Sequence, residues 1–167
     1  AGDFLAGKLR AGDAVAIVEG APNAFNGIQR KLGFEDAMSA VGAKVVSSQS
    51  GKWMMDDAEK VVTGMITQIP NLSAVLCAND SMALGAIAAL RAAGKLGQVK
   101  VVGYDNISAA QELVREGNLL CTVDQHGDQI AVFGIQFALK LLRKETPPAD
   151  LETPVDLVTV ETLKGAK

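Results

Sequence analysis

Short apolar, mostly β-branched runs alternate with helical patterns along almost the whole chain, the order expected of parallel strands joined by crossover helices. Strands are predicted at 14–18, 44–47, 74–77, 99–102 and 119–123. Several are apolar at consecutive positions, which suits a sheet covered on both faces. Between them, Ile28, Leu32, Phe34, Ala37 and Val41 recur at helical spacing, as do Val61, Met65 and Ile66, and each set reads as one buried stripe. Helix starts are marked by Asp56 with Glu59, by Ser81 after Asn79 and Asp80, and by Ser108 with Gln111 at capping-box spacing. Gly42 and Gly94 stand where helices should stop. The fold class expected is α/β, a doubly wound, mostly parallel sheet with helices on both faces. The stretch 144–150, polar and carrying Pro147 and Pro148, reads as a linker.

The segment 128–142 departs from this pattern. Ile130, Val132, Phe133, Ile135, Phe137, Leu139, Leu141 and Leu142 leave few polar positions, so much of its circumference calls for burial. It serves either as a central helix or as a docking surface for another domain or chain.

With 167 residues and an apolar share of 49%, the chain can build the core of one compact domain. Its net charge of -3 and the absence of a Lys/Arg-rich block argue against a nucleic-acid partner. Its longest apolar runs fall far short of the roughly 20 residues that cross a bilayer. Cys77 and Cys121 each lie in an apolar strand-like run, in no metal-binding spacing. If the strand 99–102 lies between theirs, they are about 9.6 Å apart, beyond the ~7 Å Cα limit of a disulfide, so the thiols should be free.

No catalytic group, metal site or cofactor site is predicted. Gly20 to Gly27 lacks the glycine spacing of a dinucleotide fold, there is no phosphate loop or nucleophile elbow, and His126 has no cysteine beside it. His126 reads as a polar turn residue. Asp56 and Asp57 suit a helix start. Polar residues gather instead at the carboxyl ends of the strands, where open α/β sheets bind ligands. These are Asn23, Asn26 and Arg30; Trp53; Asn79 and Asp80; Asp105 and Asn106; Asp124 and Gln125. Amides, carboxylates and a guanidinium match hydroxyls that both donate and accept, and a flat indole covers an apolar C–H face, so the set is sugar-like. Asn and Asp also cap helices and form turns, and Trp53 could serve packing alone.

Four segments together carry a family resemblance: Ile28 with Arg30-x-x-Gly33-Phe34, Asn79-Asp80-x-Met82-Ala83-Leu84-Gly85, Val102-Gly103-Tyr104-Asp105, and Thr122-Val123-Asp124-Gln125. In order and spacing they resemble the second lobe of periplasmic sugar-binding proteins of the ribose-binding type. The resemblance implies that Arg30 clamps sugar hydroxyls, that Trp53 stacks on the sugar, and that Asn79, Asp105 and Gln125 hydrogen-bond it; Asn26 and Tyr104 are further candidates for the ligand site. It implies a solute receptor in the periplasm that binds a pentose, hexose or polyol between two lobes, partners a membrane permease and is not an enzyme. Residues 1–125 would form the sugar-binding lobe, 126–154 a crossover whose helix packs on the other lobe, and 155–167 a return strand and tail. The sequence around Lys52, Trp53 and Phe25 differs from common ribose binders. The effector-binding domain of a LacI-type transcription regulator is the alternative. With most of the first lobe absent, the 128–142 helix is expected to pack on a second copy in a homodimer or to fold back on its own domain.

Overall fold

The computed structural model describes residues 1–146 and 150–165. The proline-bearing part of the expected linker, 147–149, lies outside the described residues. Helix α1 (Gly2–Ala6) precedes β1 (Ala14–Glu19), α2 (Phe25–Val41), β2 (Lys44–Ser50), α3 (Met55–Gln68), β3 (Leu72–Cys77), α4 (Asp80–Ala92), β4 (Lys100–Val102) and α5 (Ser108–Arg115). The chain continues through β5 (Thr122–Asp124), α6 (Gly127–Leu142), β6 (Asp156–Val158) and α7 (Val160–Gly165). The first four strands form a parallel sheet in the order β2-β1-β3-β4, extended by a parallel bridge from Val102 to Cys121 at the approach to β5. β5 then pairs antiparallel with β6. This is the doubly wound α/β architecture, with β1 central and almost wholly buried and β2 at the edge, alternating exposed and part-buried positions.

Alternation along the strands divides the core in two. Ala16, Val18, Val75, Cys77 and Val101 face α3, α4 and α5 through Val62, Met65, Met82, Leu90 and Val114. Val15, Ile17, Leu76, Val102 and Cys121 face α1 and α2 through Leu5, Phe34, Ala37 and Met38. Cys77 and Cys121 therefore stand on opposite sides of the sheet as well as on strands flanking β4, and both are free and buried. Burial pushes both thiols above the ordinary range, Cys121 up to about 11. A disulfide-exchange reagent is expected to leave both unmodified in the folded protein and to label both after denaturation; rapid labelling of either in the native state would contradict this burial.

Several local expectations need correction. On α2 the buried line is Gly27, Phe34, Ala37 and Met38, whereas Ile28 and Leu32 are 47% and 46% exposed. Both lines have helical spacing, and periodicity alone does not say which one meets the sheet. Gly27, having no side chain, leaves room for the Trp53 ring, and Ala37 lies against Gly2 of α1. Asp56 is not a cap: α3 starts one residue earlier, after Met54, and Asp56 and Asp57 lie in its first turn, where the helix dipole favours them. Asn79, not Ser81, caps α4, its Oδ1 accepting from Met82 N at 2.9 Å. Ser108 is the first residue of α5 and makes no capping box, because Gln111 Nε2 reaches back to Asn106 Oδ1 at 3.0 Å instead. Gly42, at φ 71°, ends α2 as expected, and Gly94 follows the last turn of α4 at φ 65°.

The fold-back of the 128–142 segment is also overturned. α6 runs over Gly127–Leu142 and buries none of its residues. Ile135, Leu141 and Leu142 are 63%, 59% and 80% exposed, and Phe133 and Phe137 are only part-covered. The chain then returns: β6 pairs with β5, and Val160 and Leu163 of α7 pack against the core on the α5 side.

Candidate sugar-binding site

Parallel strands all point their carboxyl ends the same way, so the loops after β1 to β4 open on one edge of the sheet. Among the described residues, six of the seven non-glycine positions with positive φ lie in or next to those loops and the β5–α6 connection: Asn23, Lys52, Trp53, Asp105, Asn106 and His126. Positive φ in bulky residues such as Trp53 (66°) and in Asp105 (112°) persists only where the surroundings over-determine it.

Arg30, one turn into α2, is the hub. Its Nη1 donates to Ala78 O at 2.7 Å, and its Nη2 donates to Gln125 Oε1 at 3.2 Å and lies 3.3 Å from Asp105 Oδ1. Gln125 Nε2 closes the ring by donating to Asp105 Oδ1 at 2.8 Å. The guanidinium stacks 3.7 Å from the Tyr104 ring centroid and lies 5.7 Å from that of Trp53. Arg30 and Asp105 keep 11% and 27% of their side-chain surface, so the pair is mostly withdrawn from water yet reachable. Burial raises the Asp105 carboxyl above its ordinary range, and Arg30 acts against that rise.

The structure thus brings Arg30, Asp105, Gln125, Tyr104 and Trp53 together from three loops and one helix. Asn79 joins them through Nδ2, which donates to Trp53 O at 3.4 Å, but its Oδ1 is committed to the α4 cap. Asn26 stands apart: it is exposed in the first turn of α2 and its Oδ1 accepts from Gly27 N at 3.0 Å. The Trp53 indole lies against Gly27, at 3.1 Å from where a Cβ would be, and against Gly20, where a Cβ would collide with the ring. Trp53 is therefore part-buried, with packing and exposed surface at once.

Three further residues take places that the sequence did not assign to them. Phe25, 78% exposed at the start of α2, sits beside Asn26. Asp80 and Thr122 are wholly buried, with Thr122 Oγ1 donating to Asp80 Oδ1 at 2.8 Å. A Thr on an otherwise apolar strand and an acid directly after a capping Asn were the available signals. Asp80 seats against Gly103, where a Cβ would collide with its Oδ1. Gly103→Ala is expected to lower stability by about 2 kcal/mol through overpacking, read as a fall in the urea midpoint; an unchanged midpoint would refute the close fit. His126 is held by Asp156, Nε2 to Oδ2 at 2.7 Å, and its N–H donates to Asp124 Oδ1 at 2.8 Å. It pins β5 to β6 and caps α6, the turn role expected of it.

Residues 1–146 match the model of the periplasmic binding protein domain. The chain belongs to the periplasmic binding protein family. Within it, the chain is 51% identical over 162 residues to a D-ribose/D-allose-binding protein of Pseudomonas aeruginosa, covering 95% of this chain and 51% of the relative. It is 36% identical to the ribose import binding protein of Escherichia coli, covering 96% of this chain and 53% of that protein. Among solved structures, an ABC transporter solute-binding protein from Actinobacillus succinogenes with bound D-allose superposes with a TM-score of 0.91 at 36% identity, covering 98% of this chain and 58% of that one. One from Bacillus halodurans with bound myo-inositol gives 0.92 at 30% identity, covering 98% and 57%. This periplasmic binding protein chain thus spans about half the length of the relatives it matches. Those relatives are sugar-binding components of transporters, and they do not favour the transcription-regulator alternative.

Proposed function

We propose that this chain is one lobe of a periplasmic receptor that binds a small hydroxyl-rich ring, a pentose, hexose or polyol, between two lobes and presents it to a transporter permease. The observation that carries the reading is the Arg30–Asp105–Gln125 ring: a guanidinium fork held from behind by Ala78 O and Tyr104, beside a carboxylate and an amide. Such a set both donates to and accepts from vicinal hydroxyls, and because the groups are already positioned, little ordering cost falls on binding. Trp53 supplies the face for the C–H side of the ring, with Asn79 and Asn26 at the margin. The ligands named for the relatives, D-ribose, D-allose and myo-inositol, share this chemistry. The site carries out no reaction in this reading, since its charged groups are paired with each other and serve recognition.

Residues 1–125 form the lobe that holds the site, 126–154 cross over with α6, and 155–167 return through β6 and α7. The other lobe covers the apolar surface of α6 and completes the site by closing over the ligand. Calorimetric titration of the two-lobed receptor with D-ribose, D-allose, myo-inositol and other sugars tests the reading. Saturable binding of at least one is expected, and heat from none of them would overturn it.

A further inference from the structure

We propose that Asp80 is a positioning residue for this site: its buried carboxyl group holds the strained loop that presents Asp105 and Tyr104 to Arg30, and ligand affinity depends on that anchorage. The proposal rests on the sugar-site reading above. Asp80 has no exposed surface, and among the described residues it forms no ion pair. A buried carboxylate without a cation is costly, so its hydrogen bonds must account for it. They all tie one loop down. Asp80 N donates to Tyr104 O at 2.7 Å, and Ile107 N donates to Asp80 Oδ2 at 3.0 Å. Thr122 Oγ1 donates to the carboxylate and accepts from Asn106 N at 3.1 Å. Asp105 N donates to Val123 O at 2.8 Å, so residues 104–107 each have one backbone group fixed.

Between those anchors lie the two residues with φ of 112° and 56°, Asp105 and Asn106. Backbone of that kind stays in place only while its neighbours hold it. The carboxylate accepts from both Thr122 and Ile107, so removing its acceptor oxygens or the Thr122 hydroxyl takes an anchor from the loop. Burial raises the Asp80 carboxyl to about 6, so the folded arrangement favours its protonated form, which keeps an oxygen for Ile107 N and a proton for Thr122 Oγ1; the anchorage therefore does not depend on ionisation.

The test is calorimetric titration of D-ribose and D-allose into the two-lobed receptor, with amide-exchange protection followed at Asn106 and Ile107. Asp80→Ala is expected to bind about tenfold more weakly and to lose protection at both amides. Thr122→Val, which removes the hydroxyl and keeps the acid, should bind more weakly and lose protection at Asn106. Asp80→Asn, which keeps an oxygen for Ile107 N and a donor for Thr122 Oγ1, should recover affinity and protection. If Asp80→Ala does not fold, Thr122→Val and Asp80→Asn decide: native affinity and protection in Thr122→Val overturn the proposal. Arg30→Ala separates the two readings. If Arg30→Ala binds normally, the sugar site itself is misplaced; if it abolishes binding while Asp80→Ala is native-like, only the role of Asp80 falls.

Discussion

Replacing Arg30 by alanine in the two-lobed receptor is expected to weaken sugar binding by at least about a hundredfold, or ~3 kcal/mol. The loss has two parts. Ligand hydroxyls that the fork would meet are left buried without partners, which costs about 1–3 kcal/mol per group. Asp105 and Gln125 also lose the group that orients them, since Arg30 Nη2 contacts both. Asp105, already raised by burial, rises further without the cation, and its neutral form is a poorer acceptor for hydroxyls. Arg30→Lys should not rescue binding, because one ammonium cannot reach Ala78 O, Gln125 and the ligand together while stacking on Tyr104. Calorimetry measures the change, and an affinity within threefold of native (~0.7 kcal/mol) for Arg30→Ala would show that the fork does not touch the ligand.

The second large effect concerns α6. The 167-residue chain on its own is expected to self-associate through this helix, because Ile130, Val132, Ile135, Leu139, Leu141 and Leu142 are each at least 46% exposed. Fully burying such a side chain is worth about 1.5–3 kcal/mol, so covering half of this surface contributes several kcal/mol. In the two-lobed receptor proposed above the other lobe covers this face, and on the chain alone a second copy is expected to take that place. Light scattering should therefore report a dimer, and Ile135→Lys with Leu139→Lys should shift it to monomer without loss of the sheet. A native chain that stays monomeric at roughly 100 μM would refute the argument, since that concentration already populates a contact of about -5.5 kcal/mol.

The alternation of β-branched runs with helical segments was enough to read the α/β class, because strands covered on both faces must be apolar throughout, as β1 and β3 nearly are. The same logic predicted free thiols, since strand spacing sets a minimum distance that no local detail alters. The polar residues at strand ends were legible for a related reason: the loops after parallel strands share one edge whatever the details of packing.

What the sequence could not decide was the rotation and pairing of side chains. Ile28 and Leu32 have the spacing of a buried stripe, but α2 is turned so that Phe34, Ala37 and Met38 meet the core, a choice made by packing in three dimensions. Asn79 read first as a ligand contact, with capping as the alternative, and the 2.9 Å bond from Met82 N shows its carbonyl oxygen capping α4. Asp80 was legible as a polar residue at a strand end, but its anchoring role was not, because its partners Thr122, Ile107 and Gly103 are distant in sequence and are brought together only when β5 is placed beside β4. Local pattern determines which elements form, since propensity and periodicity act over a few residues. Long-range packing decides which face of each element is buried and which polar groups find one another, and that is where the site's geometry comes from.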